Sequence, residues 1–215
     1  ETVRLCHPET KVYQASSSEM FGNNMDPDGF QREGTPMQPV SPYGCAKLMA
    51  YSLVRCYRES YNLFLSNGIL FNHESPRRGT NFVTNKVALG AVRIKKGLAS
   101  ELRMGNLDSS RDWGHAKDYV RAMHAILQMD THDDFVLATG KSRTVRDLCE
   151  YVFGSLGLCY TDYVKVDPRY VRPQELNHLK GDPSKFLQKV PFDFEYTFES
   201  MLDEMVAYWM EKIDE

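Results

Sequence analysis

No stretch of this 215-residue chain approaches the roughly 18 consecutive apolar residues that a membrane-spanning helix requires. Its opening residues, ETVRLCHPETK, carry charge throughout, which excludes a secretory hydrophobic region there. The five cysteines, Cys6, Cys45, Cys56, Cys149 and Cys159, are odd in number and form no C-x-x-C pair. Reduced thiols in a cytoplasmic protein are therefore the expectation. A net charge of −3 gives no case for wholesale nucleic-acid binding. Internal repeats, low-complexity tracts and linker-like composition are also missing, as is any glycine-rich phosphate loop of the form G-x-x-G-x-x-G or G-x-G-x-x-G.

What remains is ordinary globular composition, 42% hydrophobic and 26% charged. The length allows one large domain or two small ones with a real core. ETVRLC reads as a helix end and KVYQAS as a short strand. Turn-forming residues follow, GNNMDPDG and GTPMQPVSP. Ser41-Pro42 has the form of an N-cap with proline at the first helical position, and the helix it opens is expected to reach about Tyr61. Ala46, Ala50, Leu53, Val54 and Tyr57 are expected to share its inward face. LFLSNGILFN reads as a buried strand. A second helix is expected over about Asn81–Lys96, with Val83, Val87, Ala91 and Ile94 inward. ELRMGN reads as a strand, HAKDYVRAMHAILQM as an amphipathic helix and DFVLATG as another strand. Thr144 and Asp147 have capping-box spacing. A strand near Tyr163–Val166, a short helix from Pro183 and a final helix from Thr197 complete the chain. Strands alternating with helices predict an α/β fold on a parallel sheet.

Two constellations carry chemistry. Tyr43 and Lys47, at i and i+4, project their polar heads from one helix face. An ammonium beside a phenol stabilises phenolate, making tyrosine a usable base for a substrate hydroxyl. Such a pair also occurs on solvated helices without function; its position after Ser-Pro, downstream of a Ser-rich strand end, favours chemistry. The second is Ser16-Ser17-Ser18-Glu19, directly after the strand KVYQA. In parallel α/β sheets ligands sit outside the carboxyl ends of strands. A hydroxyl there can bond a substrate oxygen and a carboxylate can move a proton, although a capped turn would use the same residues for the backbone alone.

A serine or threonine after one strand followed by Y-x-x-x-K resembles the extended short-chain dehydrogenases. The runs GILFNHESPRRG (Gly68–Gly79), NFVTNK, GNLDSSRDWGHAKDYV, DFVLATG and DPRYVRPQE narrow the resemblance to the GDP-mannose 4,6-dehydratase family over nearly the whole chain. The resemblance implies part of a Rossmann-type parallel sheet with a smaller α/β substrate domain. Residues 1–72 and about 108–142 would belong to the cofactor domain, with 73–107 and 143–215 in the substrate domain. It implies NADP as cofactor, GDP-mannose as substrate, and a homo-oligomer, dimer or tetramer. Tyr43, Lys47 and Ser17 would serve C4 oxidation and Glu19 C5 deprotonation. Tyr43, Lys47, His73 and Arg78 match cofactor-contacting positions. Asn72, Lys86, Arg111, Arg172 and Glu175 match positions around the GDP moiety, where guanidinium forks suit phosphates and a carboxylate suits ribose hydroxyls. His115, Asp118 and Trp113 are expected to serve local structure.

Three positions depart from the family pattern. Ser17 stands where threonine is usual, Val40 where an arginine commonly precedes Ser-Pro-Tyr, and Asn85 where an arginine precedes the lysine. The missing glycine-rich loop is the larger departure. Some 100 upstream residues, about half of a Rossmann sheet, are expected to supply it, and the 215 residues alone are not expected to turn over. Two other readings stand beside this one. An epimerase or reductase of the same superfamily would share Tyr43 and Lys47 without needing Glu19. A non-catalytic GDP-sugar-binding fragment would bind GDP but not NADP.

Overall fold

A computed structural model describes residues 1–170 and 176–213. In chain order its elements are α1 (Thr2–Cys6), β1 (Val12–Ser17), a 3-10 turn (Ser18–Phe21), α2 (Pro42–Tyr61), β2 (Leu65–Leu70), β3 (Asn72–Glu74), α3 (Val83–Lys95), β4 (Leu102–Met104), β5 (Ser110–His115), α4 (Ala116–Gln128), β6 (Asp134–Leu137), β7 (Ser142–Thr144), α5 (Val145–Ser155), α6 (Tyr160–Tyr163), β8 (Val164–Val166), a 3-10 turn (Pro168–Tyr170), α7 (Ser184–Lys189) and α8 (Phe198–Lys212).

The central sheet is parallel, in the order β1-β2-β6, with Ser17 opposite Leu70 and Leu70 opposite Leu137. Every residue of β2 is buried, as a strand covered on both faces must be. Successive side chains point to opposite faces. Ile69 and Val136 pack with Tyr51 of α2 and Met20 and Phe21 of the turn, while Leu70, Phe135 and Leu137 pack with Tyr119 and Ile126 of α4 and Phe186 of α7. The fold is thus a Rossmann-like α/β arrangement. A separate core joins α3, α5 and α8 through Val87, Ala91, Leu148, Val152, Met201 and Met205.

Local chemistry accounts for the helix boundaries. Ser41 Oγ accepts the Gly44 N–H, Pro42 follows at the first helical position, and Asn62 ends α2 in the left-handed region at φ 51°. Thr144 and Asp147 form a reciprocal capping box at α5, and Thr197 caps α8. His115 caps α4 through Nδ1, while its Nε2 meets Glu204 at 2.8 Å. Asp118 accepts the Glu195 and Tyr196 N–H groups, so both residues serve structure as expected.

Two expectations are corrected. The buried residues of α2 are Gly44, Tyr51 and Arg58; of the expected face Ala50, Val54 and Tyr57 are half-buried, while Ala46 and Leu53 are exposed. A buried carboxylate explains this: Asp134 accepts Arg58 at 2.8 and 3.1 Å, Asn67 at 2.8 Å and the Tyr51 hydroxyl at 3.0 Å. Polar side chains therefore point to the sheet where apolar ones were sought. The second correction adds a strand to the expected set, the parallel central sheet being as expected. SRDWGH, not anticipated as a strand, forms β5, which pairs in parallel with β3 and antiparallel with β7.

Candidate active site

The strand β1 delivers Ser17 and Glu19 to its carboxyl end. Ser17 Oγ accepts the Glu19 N–H at 3.2 Å and so starts the 3-10 turn. Gly22 closes that turn at φ 61°, where an added Cβ would stand 2.0 Å from the Gln38 carbonyl. Only glycine is free to sit there. Opposite the turn, α2 begins. A Cβ on Gly44 would lie 2.9 Å from the Glu19 carbonyl oxygen and 2.8 Å from Pro39 Cβ, so the helix start rests directly on the turn.

That close approach brings together the four residues expected to be catalytic. Glu19 Oε2 is 2.8 Å from Ser41 Oγ, two residues before Tyr43. Lys47 Nζ donates to the Ala15 carbonyl at 2.9 Å and lies 5.5 Å from the centroid of the Tyr43 ring. Tyr43 is 52% exposed and Glu19 is half-buried, so both remain open to a ligand, while Ser17 is 8% exposed at the base of the site.

His73 joins this group. Its Nδ1 lies 2.9 Å from the Phe71 carbonyl, which can only accept, so the proton is on Nδ1 and the Nε2 lone pair is left to accept. The ring stacks on Tyr119 at 5.0 Å. Burial lowers its pKa, and the Arg78 and Lys47 cations add to that effect, keeping the imidazole neutral. Arg78 stacks on Phe82 at 3.6 Å, with Nε 3.2 Å from Glu74 Oε2. Asn72 stands half-buried on β3 beside His73.

The other residues expected around GDP lie elsewhere. Lys86, on α3, sits 4.1 Å from the Tyr170 ring, and burial lowers its pKa against the pull of Asp167. Arg111, on β5, donates to the Ser110 carbonyl at 2.8 Å and faces Arg143 across the β5–β7 ladder. Arg172 and Glu175 lie outside the described residues. Asn85, where an arginine was the family pattern, is fully buried: its amide donates to the Arg78 carbonyl and accepts Trp209 Nε1 at 2.5 Å. At this position the chain ties α8 to the His73–Arg78 loop with a neutral side chain.

Two residues of this region were not foreseen as such. Ser41 was read only as a cap, and nothing in its spacing announces a contact 22 positions away. Glu74 is 2% exposed and accepts the Thr84 hydroxyl at 2.6 Å; burial raises its pKa, while Arg78 and Thr84 oppose the rise. Among the described residues no group of acidic, His or Cys side chains is arranged to hold a metal, no helix is long and apolar enough to cross a membrane, and all five cysteines are free.

Comparison with known proteins adds family evidence. A family model described as GDP-mannose 4,6 dehydratase matches residues 1–205. The chain is 50% identical over 196 residues to GDP-mannose 4,6 dehydratase 2 of Arabidopsis thaliana, covering 91% of this chain and 52% of that protein. It therefore spans about half the length of that relative. Among solved structures, dTDP-glucose 4,6-dehydratase from Bacillus anthracis, in complex with NAD, is similar with a TM-score of 0.84 at 22% identity, covering 96% of this chain and 63% of that one. RMD from Pseudomonas aeruginosa, complexed with NADPH, has a TM-score of 0.84 at 22% identity, covering 94% of this chain and 67% of that one. At these identities the likeness concerns the fold.

Proposed function

The chain belongs to the GDP-mannose 4,6-dehydratase family, and from that premise we propose that it forms the catalytic and sugar-nucleotide part of an NADP-dependent lyase converting GDP-mannose to GDP-4-keto-6-deoxymannose. The observation that carries this reading is one strand end holding a carboxylate, Glu19, beside a tyrosine–lysine pair. A simple epimerase or reductase needs the pair; the carboxylate is what an elimination adds.

The residues at this strand end fit a nicotinamide cofactor. Lys47 commits one of three N–H donors to Ala15, leaving two for hydroxyls among the described residues. His73 offers a neutral acceptor next to it, with Arg78 on the loop that follows β3. Bound NADP would accept hydride from C4 and return it to C6. Tyr43 takes the C4 hydroxyl proton, helped by the Lys47 charge, and Ser17 bonds the same oxygen. The ketone then acidifies C5, and Glu19 takes that proton. The two protons so collected are the two needed to release the C6 hydroxyl as water and to reprotonate C5. Asn72, Lys86, Arg111, Arg172 and Glu175 bind GDP in this reading. Residues 1–72 and about 108–142 serve the cofactor, 73–107 and 143–215 the sugar nucleotide, and the working form is a homo-oligomer.

The test is GDP-mannose consumption with NADP⁺, measured on the chain alone and on the chain preceded by the N-terminal portion of the Arabidopsis relative. Turnover to the 4-keto-6-deoxy sugar in the joined protein, abolished by Glu19→Gln, is the expected result. Full activity of Glu19→Gln would reassign the site to an epimerase or reductase. GDP binding without NADP binding in the joined protein would leave only a binding module.

A further inference from the structure

Ser41 makes two hydrogen bonds through one hydroxyl. Its oxygen accepts the Gly44 N–H at 3.0 Å, capping α2, and its single proton goes to Glu19 Oε2 at 2.8 Å. A backbone N–H can only donate and an ionised carboxylate can only accept, so the direction of each bond is settled by chemistry. Glu19 Oε1 takes no hydrogen bond among the described residues. One carboxylate oxygen is thus pinned and the other is free to meet a proton. The pin is attached to the first turn of the helix that carries Tyr43 and Lys47.

We propose that Ser41 is a positioning residue that aims the Glu19 carboxylate and fixes its distance from the Tyr43–Lys47 pair, so that both bases act on one bound sugar. This rests on the dehydratase reading and deepens it. The hydroxyl acts through Glu19 alone and touches no substrate. Tyr43 and Lys47 are held separately, Lys47 by the Ala15 carbonyl. Losing the Ser41 hydroxyl should therefore slow C5 deprotonation and spare C4 oxidation.

Three substitutions separate aiming from capping. Glycine is nearly as good an N-cap as serine and alanine is a poor one, but neither carries a hydroxyl, whereas threonine keeps both bonds. In the joined protein, Ser41→Gly and Ser41→Ala are expected to lower kcat about tenfold or more at little-changed KM, a part of what general-base catalysis supplies. Ser41→Thr should retain activity. Because oxidation continues while elimination is slowed, reduced cofactor should build up during turnover in the glycine and alanine variants, read at its absorbance band. A Ser41→Gly enzyme with wild-type kcat and no such build-up would show that Ser41 only caps the helix, and would overturn the proposal. If the unsubstituted joined protein fails to dehydrate GDP-mannose, the functional reading falls, and the contact is judged separately in the chain by carbon-13 NMR. The Glu19 carboxyl resonance at fixed pH should move in Ser41→Gly and Ser41→Ala and stay in Ser41→Thr; no movement in any variant overturns the pinning.

Discussion

Replacing Gly44 with alanine sets two well-known effects against each other. Gly44 lies in the first turn of α2, and alanine is favoured over glycine in a helix by about 1 kcal/mol. Propensity alone therefore makes Gly44→Ala stabilising. The structure gives the opposite sign. The new methyl would stand 2.8 Å from Pro39 Cβ, 2.9 Å from the Glu19 carbonyl and 3.3 Å from Ser41 Oγ. Carbon atoms pack at about 3.5–4.0 Å, so the helix start must retreat by roughly 0.5–1 Å. The first two obstacles are a proline ring and backbone, which cannot swing aside. Overpacking of this kind costs about 1–3 kcal/mol, which outweighs the propensity gain and leaves a net loss near 1 kcal/mol. For a chain of this length that is about 2–4 °C in melting temperature. The retreat also separates Glu19 from the helix bearing Tyr43 and Lys47. Since a misplacement of about 1 Å can cost about a hundredfold, kcat of the joined protein should fall roughly tenfold to a hundredfold. Thermal melting of the chain and kinetics of the joined protein measure the two effects independently. A Gly44→Ala protein that melts higher and keeps full kcat would refute the close approach.

Other perturbations follow from the same coordinates. Asp134→Asn leaves the Arg58 guanidinium buried without its counter-charge and should cost about 3–5 kcal/mol, or roughly 10 °C by calorimetry. Adding Arg58→Met should restore part of the loss, and a double variant no more stable than Asp134→Asn alone would contradict the pairing. Burial pushes the Asp112 carboxyl up to about 6 despite hydrogen bonds from Thr139 and Gly140. Its folded pKa lies above its unfolded one, so its contribution is fully present below about pH 4 and is lost as pH rises through about 6. The stability of wild type relative to Asp112→Asn, followed by urea titration from pH 4 to 7, should fall by on the order of 3 kcal/mol; a flat difference would be inconsistent with it. Gly22→Ala, at φ 61° against the Gln38 carbonyl, should destabilise the chain by about 2 kcal/mol or more, and a melting temperature equal to wild type would show that the turn is not as described.

Much of this molecule is written in short-range pattern. The caps Ser41, Thr144 and Thr197, the i, i+4 pair Tyr43 and Lys47, and the apolar run of β2 each depend on neighbours within a few residues, and each element formed where it was expected. The motifs of Gly68–Gly79 and the Arg111 region placed the chain in its family for the same reason: a contiguous run is visible without a fold. β5 escaped because Asp112, Gly114 and His115 are not strand-like, and the burial of Asp112 and His115 is supported by distant groups, Thr139 and Glu204. The inward face of α2 escaped because Asp134, which draws Tyr51 and Arg58 toward the sheet, lies 83 and 76 positions away. The sequence alone thus singled out Ser17, Glu19, Tyr43 and Lys47 as the candidates for the proposed chemistry, since side-chain type and local spacing suffice to nominate them. Only the tertiary structure decided how Glu19 is aimed, because a hydrogen bond between Ser41 and a carboxylate 22 positions distant exists only once β1 and α2 have packed end against end.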